Sequence, residues 1–187
     1  MKQKKSSKIQ VSSCKNKGFT LVEALIAISI MIVGILSGLV LVTRTLYNSV
    51  IIRDRLTASF LAQESMELVR QIRDTNFLKI LSGGSSNWRE GLSAGRYIIE
   101  TNVGNEKSIG LIPVVEGKVP NLFYDDNYKI YNYNDLGSPT SFNREIQIED
   151  IPDQPNEIRV KVIMKWKTKG INFDLKVEDH LFNWINL

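Results

Sequence analysis

Glu23 is the residue whose type and position point most directly to chemistry, because it is a lone acid in an apolar segment. No other charged residue occurs between Lys17 and Arg44. A carboxylate within a membrane segment costs several kcal/mol unless it is paired, so such residues usually mark function. The chemistry indicated is therefore charge pairing, with a positively charged group as the partner.

Other reactive residues are scarce. Cys14 is the only cysteine and His180 the only histidine, so an intrachain disulfide and a metal site of His and Cys are both excluded by count. A Ser-His-Asp triad would have to use His180, at the end of a predicted strand, where a structural histidine is the stronger interpretation. Nucleophile and phosphate-binding motifs are missing, so an enzyme is the least expected class. No catalytic residue, metal or cofactor is predicted.

The element that holds Glu23 is a predicted membrane helix. Residues 24–43 form a run of 20 without a charge, which spans about 30 Å as a helix, the thickness of a bilayer core. Residues 1–18 contain six lysines and no acid, so the positive-inside rule places them in the cytoplasm. No A-x-A-like cleavage pattern follows the apolar run, so we expect the run to stay in the mature chain.

The net positive charge of the chain comes from this leader. Six of the 24 basic residues lie there, and the 18 that remain face 20 acidic residues, a formal charge of −2 for the rest. The overall charge therefore gives no support for a general nucleic-acid surface, and nucleic acid is not an expected partner.

The stretch from Gly18 to Glu23, Gly-Phe-Thr-Leu-Val-Glu, resembles the prepilin signature of the type IV pilin and type II secretion pseudopilin families. The resemblance implies cleavage after Gly18 by a prepilin peptidase and methylation of the new amino group on Phe19. It also implies that Glu23 pairs with the N-terminal amine of a neighbouring subunit, so that a mis-stacked subunit leaves both charges unpaired. The alternative is a glutamate at the membrane interface, solvated by headgroups.

The same resemblance names the partners: a prepilin peptidase/methyltransferase, other pilin or pseudopilin subunits, an inner-membrane assembly platform, and membrane lipid before assembly. Gly34 and Gly38 form a G-x-x-x-G that lets helices approach closely. Glycine is common in membrane helices, so chance is an equal explanation. Where the family often has a proline, this chain has Val40.

Residues 44–80 are predicted to continue the helix as an amphipathic segment that ends before Gly83. Within it, Ala-Gln-Glu at 62–64 with Glu67 and Arg70 resembles a segment of PilV-like and type II secretion I-type minor subunits. The apolar and small residues recur at spacings of three and four: Ala58, Leu61, Ala62, Ser65, Leu68, Val69 and Ile72.

Residues 81–187 are predicted to form an antiparallel β-rich head. The alternating segments around Lys169-Gly170 predict a hairpin in which Trp166 faces Phe173, Lys165 faces Asp174 and Lys161 faces Glu178. The lysines at 161, 165, 167 and 169 could contact DNA phosphates, but these cross-strand acids favour a solvated sheet face. Residues 102–140 are poorly specified; sugar stacking or Ca²⁺ at Asp125, Asp126 and Asp135 is a weaker interpretation than a surface loop.

Taken together, these features predict an α+β, type IV pilin-like fold: a long N-terminal helix, membrane-spanning in its first half, packed on a small antiparallel sheet. The expected divisions are a leader (1–18), a filament-core helix (19–43), an amphipathic helix (44–80) and a head (81–187). The expected function is a structural, minor subunit of a pilus-like filament, anchored in the inner membrane with its head outside and later carried to the cell surface. A type II secretion pseudopilin and a membrane-anchored binding domain are the alternatives.

Overall fold

The computed structural model describes residues 18–84, 87–101, 109–114, 117–135 and 137–185. The chain divides into two compact units, of which the first ends at Tyr47 and the second covers Asn48–Leu187. The expected leader, residues 1–18, lies outside the described residues except for Gly18.

A single helix, α1, covers Leu21–Leu81. Its C-terminal end is closed by a pair of crossed hydrogen bonds, from Gly84 N to Lys79 O at 2.8 Å and from Gly83 N to Ile80 O at 3.0 Å. Gly83 has φ +79°, the left-handed conformation that this Schellman arrangement requires. The glycine pair therefore ends the helix, as the sequence predicts.

The second unit contains an antiparallel sheet of seven strands in the order β2-β1-β5-β3-β4, with β6 between β5 and β7. The long strand β5 pairs with β6 along one edge and with β1 and β3 along successive parts of the other. The strands are β1 Gly95–Thr101, β2 Ile109–Pro113, β3 Asn121–Asp125, β4 Ile130–Asn132, β5 Ser138–Asp150, β6 Glu157–Thr168 and β7 Ile171–Phe182.

The core of this unit lies between the outer part of α1 and one face of the sheet. The helix contributes small and apolar residues at spacings of three and four, and β6 contributes every second residue, as period-two alternation requires. The buried residues of these two elements are Ala58, Leu61, Ala62, Met66, Val69, Ile158, Val160, Val162, Met164 and Trp166.

The β6–β7 hairpin has the predicted register. Trp166 pairs with Phe173, Lys165 with Asp174 and Lys161 with Glu178. A slip by one residue would turn the lysines into the core, so the alternation fixes the register. By contrast, strands β2, β3 and β4 lie in the region that the sequence pattern leaves unspecified.

Candidate functional site

The motif residues lie at the beginning of α1. Thr20 Oγ1 accepts a hydrogen bond from Glu23 N at 3.2 Å, and Thr20 O accepts one from Ala24 N at 3.1 Å, so Thr20 is the N-cap. Glu23 lies in the first turn, where a negative charge interacts favourably with the helix dipole. Thr-x-x-Glu is also the spacing of a capping box, so the motif shapes the helix start as well as supplying a charge.

The bond between Gly18 and Phe19 precedes the helix. Both residues have non-helical backbone, and the Phe19 side chain is 73% exposed. Proteolysis favours exposed backbone outside regular structure. The predicted cleavage site is therefore accessible in this chain.

Downstream of Glu23, α1 presents apolar side chains on all its faces. It is the one helix among the described residues that is long and apolar enough to cross a membrane. An apolar surface of this extent needs lipid or other apolar helices to cover it. Between residues 21 and 42, the large apolar side chains that are at least half exposed are Leu21, Val22, Leu25, Ile26, Ile28, Ile30, Met31, Ile32, Val33, Ile35, Leu36, Leu39, Val40, Leu41 and Val42.

Gly34 and Gly38 leave an open strip on this surface, since a Cβ built on either glycine meets no atom within 4 Å. Beside them Ser37 Oγ donates to Val33 O at 2.7 Å, so its hydroxyl is satisfied within the helix. The strip offers room for a second backbone. A packing role for the two glycines stays a prediction.

In the second unit a buried arginine ties α1 to the sheet. Arg144 on β5 is 1% exposed; its Nη1 contacts Glu64 Oε2 at 3.0 Å and its Nη2 donates to Ile99 O at 3.1 Å. The sequence analysis predicted no partner for Glu64 and missed Arg144. The strand pattern could have placed Arg144 in the core. It is separated by an even number of residues from Phe142, Ile146 and Ile148, so it lies on the same face of β5 as these core residues.

A second ion pair joins α1 to β7. Arg70 donates to Asp179 Oδ2 from Nε at 3.0 Å and from Nη2 at 2.6 Å, and it also contacts Glu67. Hydrogen bonding to Asp179 raises the pKa of Arg70. Glu64 and Arg70 thus hold the helix against β5 and β7, which gives the 62–70 segment a structural role.

The residues considered for catalysis and metal binding have other roles. His180 Nδ1 contacts Glu157, and Nε2 lies 3.6 Å from Glu178, so the imidazole is part of an ionic cluster on β6 and β7. Asp125 Oδ1 accepts hydrogen bonds from Asn127 N at 2.8 Å and Tyr128 N at 3.2 Å and shapes a turn. Within the described ranges no group of three His, Cys, Asp or Glu side chains is arranged to hold a metal.

One comparison with known proteins gives a match. Residues 13–41 match the family model described as the prokaryotic N-terminal methylation motif, which confirms the resemblance to type IV pilins and pseudopilins. No curated protein and no solved structure matches the chain. The match covers the residues from the end of the lysine leader through most of the apolar run.

Proposed function

Because the chain carries the prokaryotic N-terminal methylation motif of type IV pilins and pseudopilins, we propose that it is a minor structural subunit of a type IV pilus-like filament. The observation that carries this is the motif at the start of α1: an exposed Gly18–Phe19 bond, an N-cap at Thr20 and an acid in the first turn. An exposed apolar stretch of the helix follows directly, and a subunit that packs into a bundle of helices requires such a stretch.

The proposed assembly step is electrostatic. Removal of residues 1–18 discards six lysines and creates a new N-terminal amine on Phe19, which is then methylated. When the subunit joins the filament, this amine pairs with Glu23 of a neighbour in a water-poor bundle, where an unpaired charge is costly. The pairing fixes the axial register between subunits.

Before assembly, the subunit is held in the inner membrane by residues 19–43, with the amphipathic segment 44–80 and the head 81–187 on the outer side. Six leader lysines on the cytoplasmic side support this orientation. The proposed partners are a prepilin peptidase/methyltransferase, other pilin-like subunits, an inner-membrane assembly platform and lipid.

The first test is mass spectrometry of the N-terminal peptide from native cell envelopes. We expect a chain that begins at N-methylated Phe19. Gly18→Leu should leave the leader attached, because the peptidase reads the residue before the bond, whereas Ser12→Leu, a matched change in the leader, should be processed normally. A wild-type chain that begins at Met1 would refute the proposal and favour a membrane-anchored binding domain.

A second measurement separates the two filament classes. Immunolabelling of sheared surface filaments should find the subunit at low copy number if it is a minor pilus subunit. The resemblance of residues 62–70 to PilV-like and type II secretion I-type minor subunits supports a minor role. Retention in the envelope, with loss of protein secretion when the chain is deleted, would assign it to a pseudopilus instead.

A further inference from the structure

The sheet face directed away from α1 is divided into two halves of different charge balance on β5, β6 and β7. In the half nearer the β5–β6 connection, acids and bases are paired: Lys161 Nζ bonds both carboxylate oxygens of Glu149 at 2.8 Å, and Arg159 Nε lies 3.1 Å from Glu178. Arg159 also contacts Glu149, and His180 contacts Glu157. This half is locally neutralised.

The half nearer the β6–β7 turn is different. Lys165, Lys167 and Lys176 line an open cleft of about 580 Å³, together with a single acid, Asp174. All three lysines are exposed, and none forms an ion pair in the part of the chain that the structure describes. Glu145 bonds Arg96, which lowers the pKa of the Glu145 carboxyl, and Lys165 is close enough only to help lower it further. We call these three lysines the lysine cleft.

The cleft changes an expectation drawn from the sequence. Cross-strand neighbours Asp174 and Glu178 were expected to neutralise Lys165 and Lys161. The register is as predicted, but Lys161 bonds Glu149 on the other neighbouring strand, and Lys165 forms no ion pair among the described residues. The positive charge is therefore concentrated in one place.

We propose that the lysine cleft binds the phosphate backbone of double-stranded DNA without reading its sequence. Lys165 and Lys167 are two residues apart on β6, a separation of about 7 Å. Lys176 lies on the adjacent strand opposite Ile163, so it is a diagonal neighbour of Lys165 at about 7–8 Å. Charge spread in this way suits a polymer better than a single ion. Duplex DNA carries one negative charge per ~1.7 Å of its axis, so several phosphates lie within reach of the cleft at once.

The cleft offers little for recognition by aromatic stacking, and its neutral polar groups are few: Ser141, Asn143 and Asn172 line it. Trp166 and Phe173 line it, but they stack on each other with ring centroids 5.6 Å apart, and Trp166 is buried. The amide of Asn143 donates to Val119 O and Pro120 O. A single strand or a sugar chain relies on exposed aromatic platforms, whereas duplex DNA can be held by lysine charge alone.

The test uses the full-length chain in micelles of a nonionic detergent and a short fluorescent DNA duplex, with binding followed by anisotropy across a salt series. The triple variant Lys165→Gln, Lys167→Gln, Lys176→Gln should bind about tenfold more weakly at low salt, and its salt dependence (log K against log salt) should be shallower by roughly 2.7, since each phosphate contact contributes ~0.9. The leader lysines are common to every variant, so any DNA binding that they contribute is the same in the triple variant and in its control.

The matched control changes three exposed lysines elsewhere in the second unit, Lys79→Gln, Lys118→Gln and Lys129→Gln, with the same change in net charge. It should bind within about twofold of the wild type. Asp174→Asn, which removes the one acid of the cleft, should bind more tightly. The proposal would be overturned if the two triple variants lost DNA binding equally. It would also be overturned if polyaspartate displaced the wild type from DNA at equal charge concentration. Neither result bears on processing at Phe19, so the filament proposal is tested separately.

Discussion

Arg144 shows how one side chain can decide whether a helix stays on its sheet. Its guanidinium is 1% exposed, and burial of a charge is tolerated only when a partner and hydrogen bonds compensate. Glu64 and the Ile99 carbonyl supply them, the face of Tyr133 lies 5.8 Å away, and Nε is left without a described partner. The arginine therefore depends strongly on Glu64.

We expect Glu64→Gln to lower the free energy of unfolding by about 2–3 kcal/mol, because it leaves a buried charge with a neutral partner. The estimate stays below the full cost of breaking a buried pair because the Glu64 side chain is 43% exposed. Denaturant titration followed by tryptophan fluorescence measures the change. Glu67→Gln is the control: its carboxylate is 67% exposed, so its loss should cost less than about 1 kcal/mol.

A double-mutant cycle separates the pair from its surroundings. In an Arg144→Met background the further change Glu64→Gln should cost less than about 0.5 kcal/mol, since the buried charge is gone. An equal cost in both backgrounds would show that Glu64 stabilises the helix independently of Arg144.

For assembly, the residue that we propose to be decisive is Glu23. Glu23→Gln keeps the shape of the side chain and removes the charge, so the amine of a neighbouring subunit would lose its partner in a dry bundle. We expect normal cleavage after Gly18 but at least about a tenfold loss of subunit from sheared filaments, measured by quantitative immunoblotting. Asp153→Asn, an exposed acid in the head with left-handed backbone, should assemble normally; equal loss in both variants would contradict the pairing.

At the scale of elements, the β6–β7 turn places a lysine at a positive backbone φ, a conformation that lysine disfavours. Lys169 has φ 51° and Gly170 has φ 85°, the two positive angles of a type I′ turn. Glycine adopts this conformation freely, whereas lysine does so at a cost. Pairing of the two strands stabilises the turn in this conformation, because all twelve residues of β6, from Glu157 to Thr168, pair with residues of β7.

Lys169→Asn should therefore stabilise the protein by about 0.5–1 kcal/mol, because Asn-Gly is the preferred sequence of this turn. Gly170→Ala should act in the opposite direction, by about 1 kcal/mol, since it places a Cβ at a positive φ. Thermal unfolding followed by tryptophan fluorescence gives both signs. A stabilising Gly170→Ala would show that the turn has another conformation.

The ionic cluster at the other end of the hairpin predicts a pH dependence. Hydrogen bonding to Glu157, with a further contribution from Glu178, raises the pKa of His180 above its usual 6.5, against desolvation and the nearby Arg159. A raised folded-state pKa means that the imidazolium stabilises the fold fully below about pH 6.5. That contribution is lost as the pH rises through the raised value.

The measurement is the difference in melting temperature between the wild type and His180→Asn across this range. The wild type should be more stable than the variant below about pH 6.5, and the difference should shrink as the pH rises. A difference that is constant with pH would mean that His180 acts through packing and not through its charge.

At the scale of the whole molecule, the division at Tyr47 separates two kinds of surface. The first unit exposes its apolar side chains, while the second has its own buried core, drawn entirely from residues 58–181. A unit that contains all of its core contacts can fold alone.

The fragment 48–187 should therefore fold without the rest of the chain. We expect its melting temperature to lie within a few degrees of that of the full-length protein in detergent, with a cooperative transition, because no core residue is lost. Since Trp88, Trp166 and Trp184 all lie in the fragment, the same fluorescence signal serves for both proteins. A broad, non-cooperative transition would show that the first unit supports the head.

Sequence patterns were sufficient to predict helices and strands where the residues that define them are close together in the chain. The uncharged run after Glu23, the glycine stop at Gly83 and the alternation on either side of Lys169 each predicted an element, because helix and strand periods are local. The Gly18–Glu23 motif was also complete in the sequence, and the family match rests on it.

Only the tertiary structure decided which charges meet. The partners Glu64 and Arg144 are 80 residues apart, and Arg70 and Asp179 are 109 apart, so no local pattern joins them. On the sheet face, the predicted hairpin register offers Glu178 as the partner of Lys161, but β5 lies beside β6 and supplies Glu149 instead. Side-chain periodicity fixes a face, but the choice among ionic partners on that face depends on strand order, which is set by the packing of the whole core.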